Sequence, residues 1–297
     1  MYTTASDIML EQFMKIAIEE ARLSFREGNH GFGAVIVKEG IIISQSHDRD
    51  KTLHDPTFHA DLDAIRIASK KLNGNLGGCT IISTHEPCPM CASAIVWAGI
   101  TEVVFGYSID DSIKEGRRRI NIKCEEIFEK AGVQINITKA VLKDECSVLY
   151  DNEVRESIKL LRNADSERLE LFSKELSRKR KNWFIRNRSE LIDDDKNTLE
   201  NAYEIFLKKL GICESEAKAV ERTEDRIVIH SKNFCPTLEA CKILDLDTRY
   251  ICKKLNEAAM DALMKEISPD LEFKRNYNTL RPFSGYCEEE IRIMGRN

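Results

Sequence analysis

The sequence predicts an α/β protein in two parts: helices on both faces of a sheet, then a charged helical linker leading to a second, smaller α/β domain. Three observations carry this reading. Helix-like and strand-like periodicities alternate over residues 1–150; residues 151–200 turn densely charged, with neither Gly nor Pro; and a new alternation starts at Asn201. A chain of 297 residues has room for two domains, at about 100–200 residues each.

In the first part, Leu10, Phe13, Met14, Ala17, Ile18, Ala21 and Phe25 recur at helical spacing, and Gly28 and Gly31 end that helix. Residues 34–37 and 41–43 read as strands joined by a turn at 38–40, a hairpin. Helices follow over 59–72 and 88–98, with a short buried strand at 80–83 between them and another strand at 102–107. A helix near 125–131 and a strand near 133–142 close the domain. In the linker, Leu160, Leu161, Leu169, Phe172 and Leu176 predict one or two helices. The domain at 201–297 opens on a helix at 202–210, continues with a strand at 226–230, and adds helices after Pro236 and Thr248.

Composition narrows the function. With 42% hydrophobic and 32% charged residues the chain buries a core and is not compositionally disordered. There is no apolar run of about 18 residues, so no membrane span is expected. The first ten residues lack a basic segment followed by an apolar one, which predicts a cytoplasmic setting. There, ten cysteines read as metal ligands or buried thiols rather than disulfides. A net charge of −5 argues against a dedicated nucleic-acid binder.

The sharpest motif is His59-Ala60-Asp61 followed by Pro87-Cys88-Pro89-Met90-Cys91. Cysteines three apart at a helix start point the same way, so both sulfurs reach one ion, and the positive end of the helix favours thiolates. A bare C-x-x-C reads also as a redox pair or two buried thiols. His59 at the start of another helix completes a three-ligand zinc site, and three protein ligands leave a fourth position for water, the catalytic arrangement. An H-x-E with a later P-C-x-x-C is the signature of zinc deaminases.

The first half therefore resembles the cytidine-deaminase-like zinc enzymes, and within them the guanine deaminase and tRNA adenosine deaminase branch. The matching stretches are Gly31-Phe32-Gly33-Ala34-Val35-Ile36-Val37, Asp55-Pro56-Thr57-Phe58-His59-Ala60-Asp61 and Glu86-Pro87-Cys88-Pro89-Met90-Cys91-Ala92. The resemblance implies a three-layer α/β/α sandwich, a homodimer, and a zinc ion held by His59, Cys88 and Cys91. It also implies hydrolytic loss of ammonia from an amino-substituted ring, with a carboxylate two residues after the histidine carrying protons.

Two positions depart from the family. Asp61 stands where the family has Glu, one methylene shorter, about 1.5 Å of reach. A misplacement near 1 Å costs about a hundredfold in rate. The pocket draws the substrate closer, or the domain is an impaired, zinc-containing binding or regulatory module. Asp48 stands where free-base deaminases carry a ring-binding asparagine; it selects a substrate edge rich in donors, or else pairs with Arg49 at the surface.

Phe32 and Phe58 are candidates to stack on the ring, and His85 and Glu86 to touch the substrate or support the site. His54 also flanks the motifs, and Trp97 reads as packing. The expected substrate is a small nucleobase, nucleoside or related heterocycle. With 17 Lys and Arg against 21 Asp and Glu over residues 1–150, a free base or nucleoside ranks ahead of tRNA. The basic candidates for a nucleic acid are Arg117-Arg118-Arg119 and Arg178-Lys179-Arg180-Lys181 with Trp183 and Phe184, the latter read first as a linker helix docked on a neighbouring domain. Cys235, Cys241, Cys252 and Cys287 fit no metal pattern and read as buried thiols. Phe273, Arg275, Tyr277, Arg281 and Tyr286 read as ligand-binding or packing.

Overall fold

A computed structural model describes residues 5–295, with the side chains of Ala5 and Ser6 left aside. The chain divides into two compact units, residues 1–158 and 159–297. The first unit runs α1 (Ala5–Glu27), β1 (Gly33–Lys38), β2 (Ile41–His47), α2 (Ala60–Lys71), β3 (Cys79–His85), α3 (Pro89–Ala98), β4 (Glu102–Tyr107), α4 (Ile109–Lys114), α5 (Cys124–Lys130), β5 (Asn136–Lys139), α6 (Lys143–Tyr150) and α7 (Asn152–Leu161).

Its sheet has the order β2-β1-β3-β4-β5. β1 pairs antiparallel with β2 and β3, whereas β3, β4 and β5 run parallel. The two crossovers between parallel strands are helical, as parallel pairing requires. Helices α1 and α6 lie on one face; α2, α3 and α5 cover the other. This is the predicted three-layer sandwich. On the second face Ile36, Ala64, Ile81, Ile95, Val103 and Phe128 form one buried cluster, each large side chain contributing about 1.5–3 kcal/mol by leaving water.

Strand β3 is sealed on both sides: Ile81 and Ile82 are fully buried, and its last residues carry the chain to the helix start at Pro89. Helix α1 packs so closely on β1 that a Cβ at Gly33 would stand 2.0 Å from the Ala17 carbonyl. Only glycine fits there. Helices α4 and α6 were not foreseen; α4 is announced locally by Ser108, whose hydroxyl accepts from the Asp111 N–H.

The second unit carries α8 (Ser166–Leu191), α9 (Thr198–Leu210), β6 (Ala217–Arg222), β7 (Arg226–Ser231), α10 (Pro236–Leu244), α11 (Thr248–Cys252), a π-helical turn (Lys253–Glu257), α12 (Ala258–Ile267), β8 (Leu271–Asn276) and β9 (Cys287–Ile293). The antiparallel sheet has the order β6-β7-β9-β8. Here the sequence reading is corrected. The break falls after Ile158 rather than at 150, and the expected linker contributes to the second unit's core: Phe184 and Leu191 of α8 share one cluster with Phe206, Met260, Ile229 and Phe273. Trp183 packs against that cluster under the Lys209 ammonium, and Arg180 is buried with a bond to the Asn256 carbonyl, so the basic run is built into this unit.

Three of its four strands escaped sequence reading. β9 reads Cys-Glu-Glu-Glu-Ile-Arg-Ile, a poor strand by propensity. Cross-strand charge pairs rescue it: Arg275 bonds Glu289 and Arg292 bonds Glu272. Phe273 stacks on Phe206 with ring centroids 5.9 Å apart. Phe273 and Arg275 of the aromatic–arginine group are therefore packing. Cys241 and Cys252 are buried, as expected, but Cys235 and Cys287 are only partly so. No helix among the described residues is long and apolar enough to cross a membrane.

Candidate active site

Two helix starts meet at the carboxyl end of β3. His59 is the residue capping α2, and Cys88 caps α3, whose first position is Pro89, with fixed φ and no N–H to waste. Cys91 lies one turn into α3. The three donor atoms converge: His59 Nδ1 is 3.6 Å from Cys88 Sγ and 3.5 Å from Cys91 Sγ, and the sulfurs are 3.5 Å apart. The sulfur separation is far above the bonded distance of about 2.05 Å, so the pair is not a disulfide. A tetrahedral zinc with Zn–S near 2.3 Å and Zn–N near 2.05 Å has ligand–ligand edges of about 3.5–3.8 Å. The triad fits zinc.

Electrostatics agree. Cys88 is held down to about 4 by its bond to Cys91 and by the His59 ring, against the opposing effect of burial. The imidazole is pushed up by the Cys88 sulfur beside it, also against burial. Among the described residues no fourth His, Cys, Asp or Glu donor joins the triad, so one coordination position remains free.

His59 and Cys88 line a cavity of about 440 Å³ together with Asp61, Ser83, His85 and Glu86. Asp61, in the first turn of α2, is buried and accepts a hydrogen bond from Ser83 Oγ at 2.7 Å. Burial pushes its carboxyl up to about 6, with the Ser83 hydroxyl opposing. Phe32 lines the cavity, its ring stacked on Tyr150 with centroids 5.3 Å apart.

His85 and Glu86 reach the cavity wall, but their polar atoms are engaged. His85 Nδ1 donates to the Glu86 carbonyl at 2.9 Å and Nε2 accepts from Ser112 at 2.7 Å, so the ring is neutral. Glu86 accepts from the Ile109 and Cys124 N–H groups at 2.9 and 3.2 Å. Both support the wall and its loops.

Three sequence expectations, for Asp48, Phe58 and Trp97, do not hold. Asp48 does not line the cavity: it is 2% exposed and accepts from Ser24 Oγ and from the N–H groups of His30 and Phe32 at 2.9 and 2.8 Å. Arg49 bonds Asp63 instead, at 3.1 Å. Asp48 thus fixes the backbone that carries Phe32, and its lone pairs are spent inside the fold. Phe58 is also outside the cavity, flanked by the Arg49 and Arg66 guanidiniums. His54 is exposed on a turn, and Trp97 stands 90% exposed on α3 rather than packed. What the sequence reading missed is the outer wall: His30, Asp50, Arg155, and Arg117-Arg118-Arg119, singled out earlier only as a basic patch.

Residues 8–107 match the family described as the cytidine and deoxycytidylate deaminase zinc-binding region. A tRNA-specific adenosine deaminase of Bacillus subtilis is 35% identical over 147 residues, covering 49% of this chain and 89% of that protein. The chain belongs to this zinc deaminase family. Its members act as hydrolases of C–N bonds, and the zinc-binding region is the part shared. A guanine deaminase of Bacillus subtilis is 41% identical over 108 residues, 36% of this chain and 69% of that protein. A tRNA-specific adenosine deaminase of Aquifex aeolicus is 46% identical over 96 residues, or 32% of this chain; the match spans 64% of that relative's length. Among solved structures, a guanine deaminase from Bacillus subtilis is 40% identical with a TM-score of 0.35, covering 37% of this chain and 71% of that one.

Proposed function

We propose that the first unit of this deaminase-family chain removes an exocyclic amino group from a small heterocycle as ammonia, with water as the second reactant. The observation that carries the proposal is the His59–Cys88–Cys91 triad at zinc spacing, open to a cavity that also holds a buried carboxylate, Asp61. Bound zinc supplies a polarised water that is nucleophilic at neutral pH. Asp61 would take one proton from the attacking water and deliver it to the ring nitrogen, then carry the second proton, from the newly added hydroxyl, to the departing amine, which leaves as ammonia. Phe32, packed with Tyr150 and Arg119, supplies part of the apolar wall beside the substrate. His85 and Glu86 hold the cavity floor, and Asp48 holds the Phe32 loop.

The shorter Asp61 is built into its surroundings through Ser83, which favours an active enzyme over a silent binding module. Relatives named as tRNA-specific adenosine deaminases make tRNA the second reading; the acidic balance of residues 1–150 ranks it behind a free base or nucleoside. The test is ammonia release by the zinc-loaded chain from free bases, nucleosides and tRNA. Release from none, with one zinc bound per chain, would falsify the enzyme reading.

A further inference from the structure

The outer half of the cavity is an arginine wall. Arg117, Arg118, Arg119 and Arg155 all line it, and Arg117, Arg119 and Arg155 are half-buried. Each of these three lies against an aromatic ring: Arg117 6.0 Å from Tyr150, Arg119 5.3 Å from Phe32, and Arg155 5.2 Å from Phe25. Arg155 also donates to the His30 carbonyl at 2.8 Å, and Arg117 to Asn152 Oδ1 at 3.3 Å. The Nε atoms of Arg117 and Arg119 are buried without a hydrogen-bond partner.

Glu115 acts through space on Arg117 and Asp48 on Arg155, but neither closes an ion pair with the wall. Among the described residues none of the four guanidiniums forms a salt bridge within 4.0 Å. The carboxylates that share the cavity are committed elsewhere: Asp50 to His30 at 3.2 Å, Glu86 to two backbone N–H groups, and Asp61 to Ser83. Burial and the neighbouring guanidiniums hold Arg155 down to about 10, with the Asp48 carboxylate opposing.

Resting on the deaminase reading above, we propose that the heterocycle deaminated at this site carries a phosphate, gripped by Arg117, Arg119 and Arg155, and is a mononucleotide-sized molecule. Guanidinium is the side chain suited to this task, because its planar fork gives a phosphate two parallel bonds. Phe32 lies beneath Arg119 in the same cavity, so ring and phosphate contacts are adjacent. A polynucleotide is disfavoured. The cavity has the volume of a small-molecule site, and beyond its lining residues 1–150 as a whole are net acidic, poorly suited to neutralising successive phosphates.

The test uses the zinc-loaded full chain and three matched substrate sets: nucleosides of adenine, guanine and cytosine, their 5′-monophosphates, and a short single-stranded RNA containing the same bases. For at least one base, kcat/KM for ammonia release should be about tenfold or more higher with the monophosphate than with the nucleoside, the worth of one or two charge-assisted bonds. That ratio should fall toward one in Arg119→Gln and Arg117→Gln, and recover in part in Arg119→Lys. Equal rates with nucleoside and monophosphate, an unchanged ratio in both Gln variants, or RNA preferred over every monophosphate would each overturn the proposal while leaving the deaminase reading intact. Should no compound release ammonia, the deaminase reading fails alone, and calorimetric titration decides the phosphate question. Monophosphate binding about tenfold tighter than nucleoside binding, and lost in Arg119→Gln, supports it; equal binding overturns it.

Discussion

Ser83 on the central strand β3 donates to the carboxylate of Asp61 on α2 at 2.7 Å, tying the candidate proton carrier to the most buried element of the unit. The bond restricts a side chain that is one methylene shorter than its family counterpart. Ser83→Ala should lower kcat by about tenfold or more, as expected for loss of a bond to a charged group. Asp61→Asn should cost about a hundredfold or more while zinc content stays at one per chain. Asp61→Glu should also lose rate, because the added methylene displaces the carboxylate from the position Ser83 fixes. Steady-state ammonia assays with parallel metal analysis read all three.

Removal of the ion should leave the fold weaker. A chelator frees an imidazole and two sulfurs that lie within 3.6 Å of one another, and a ligand bound only by the folded state contributes about 2.7 kcal/mol at a hundredfold excess over its Kd. The melting temperature should drop on chelation and return with zinc but not with magnesium, which prefers oxygen donors. His59→Ala and Cys88→Ser should bind less than one zinc per chain and no longer respond to the chelator.

Asp48 gives a third test, because its two expected roles separate. As a ring-binding group it would affect KM alone. As the buried acceptor for His30, Phe32 and Ser24 it affects stability first. Asp48→Ala should destabilise the chain by about 3 kcal/mol. Asp48→Asn should do less damage, since one amide oxygen keeps the bonds made by Oδ1 and loses the one from His30. Urea unfolding checks the order.

Two histidines should give opposite pH signatures. Burial pushes His85 down to about 3, so the folded chain keeps the ring neutral where the unfolded chain, at its ordinary 6.5, takes up a proton. Stability from this group is full above 6.5 and falls as pH drops, by about 1.4 kcal/mol per pH unit. His47 is the reverse: burial resists its charge, but Glu20 and Glu27 outweigh that and raise it. Its contribution is full below 6.5 and is lost as pH rises through the folded value. His47→Gln should therefore lower the urea midpoint at about pH 6 and leave it unchanged at about pH 9.

The zinc triad was legible because its chemistry lies in local spacing: a histidine and a carboxylate two residues apart, and two cysteines three apart at a helix start. The alternation of the first unit was legible from hydrophobic period. The roles of Asp48 and Phe58 were not, since position relative to a motif does not say which way a side chain turns once His30 and Phe32 offer it N–H donors. The arginine wall was visible as three consecutive basic residues, but nothing local joins them to Arg155 and Phe32; the tertiary fold does. In the second unit, β9 hid behind three glutamates, two of which, Glu288 and Glu289, find their partners on other strands.

The metal ligands and the arginines differ in how they are anchored. His59 and Cys88 are rooted at helix starts beside a sealed strand, whereas Arg117, Arg118 and Arg119 sit on the irregular backbone of 116–123, with Arg155 alone on a helix, α7. Amide exchange at Ile81 and Ile82 should report the full unfolding free energy, while amides of the 116–123 segment open at lower cost. Substrate choice is thus written in the part of the unit that tolerates sequence change most easily, and chemistry in the part that tolerates it least, so new specificities can be sampled here without putting hydrolysis at risk.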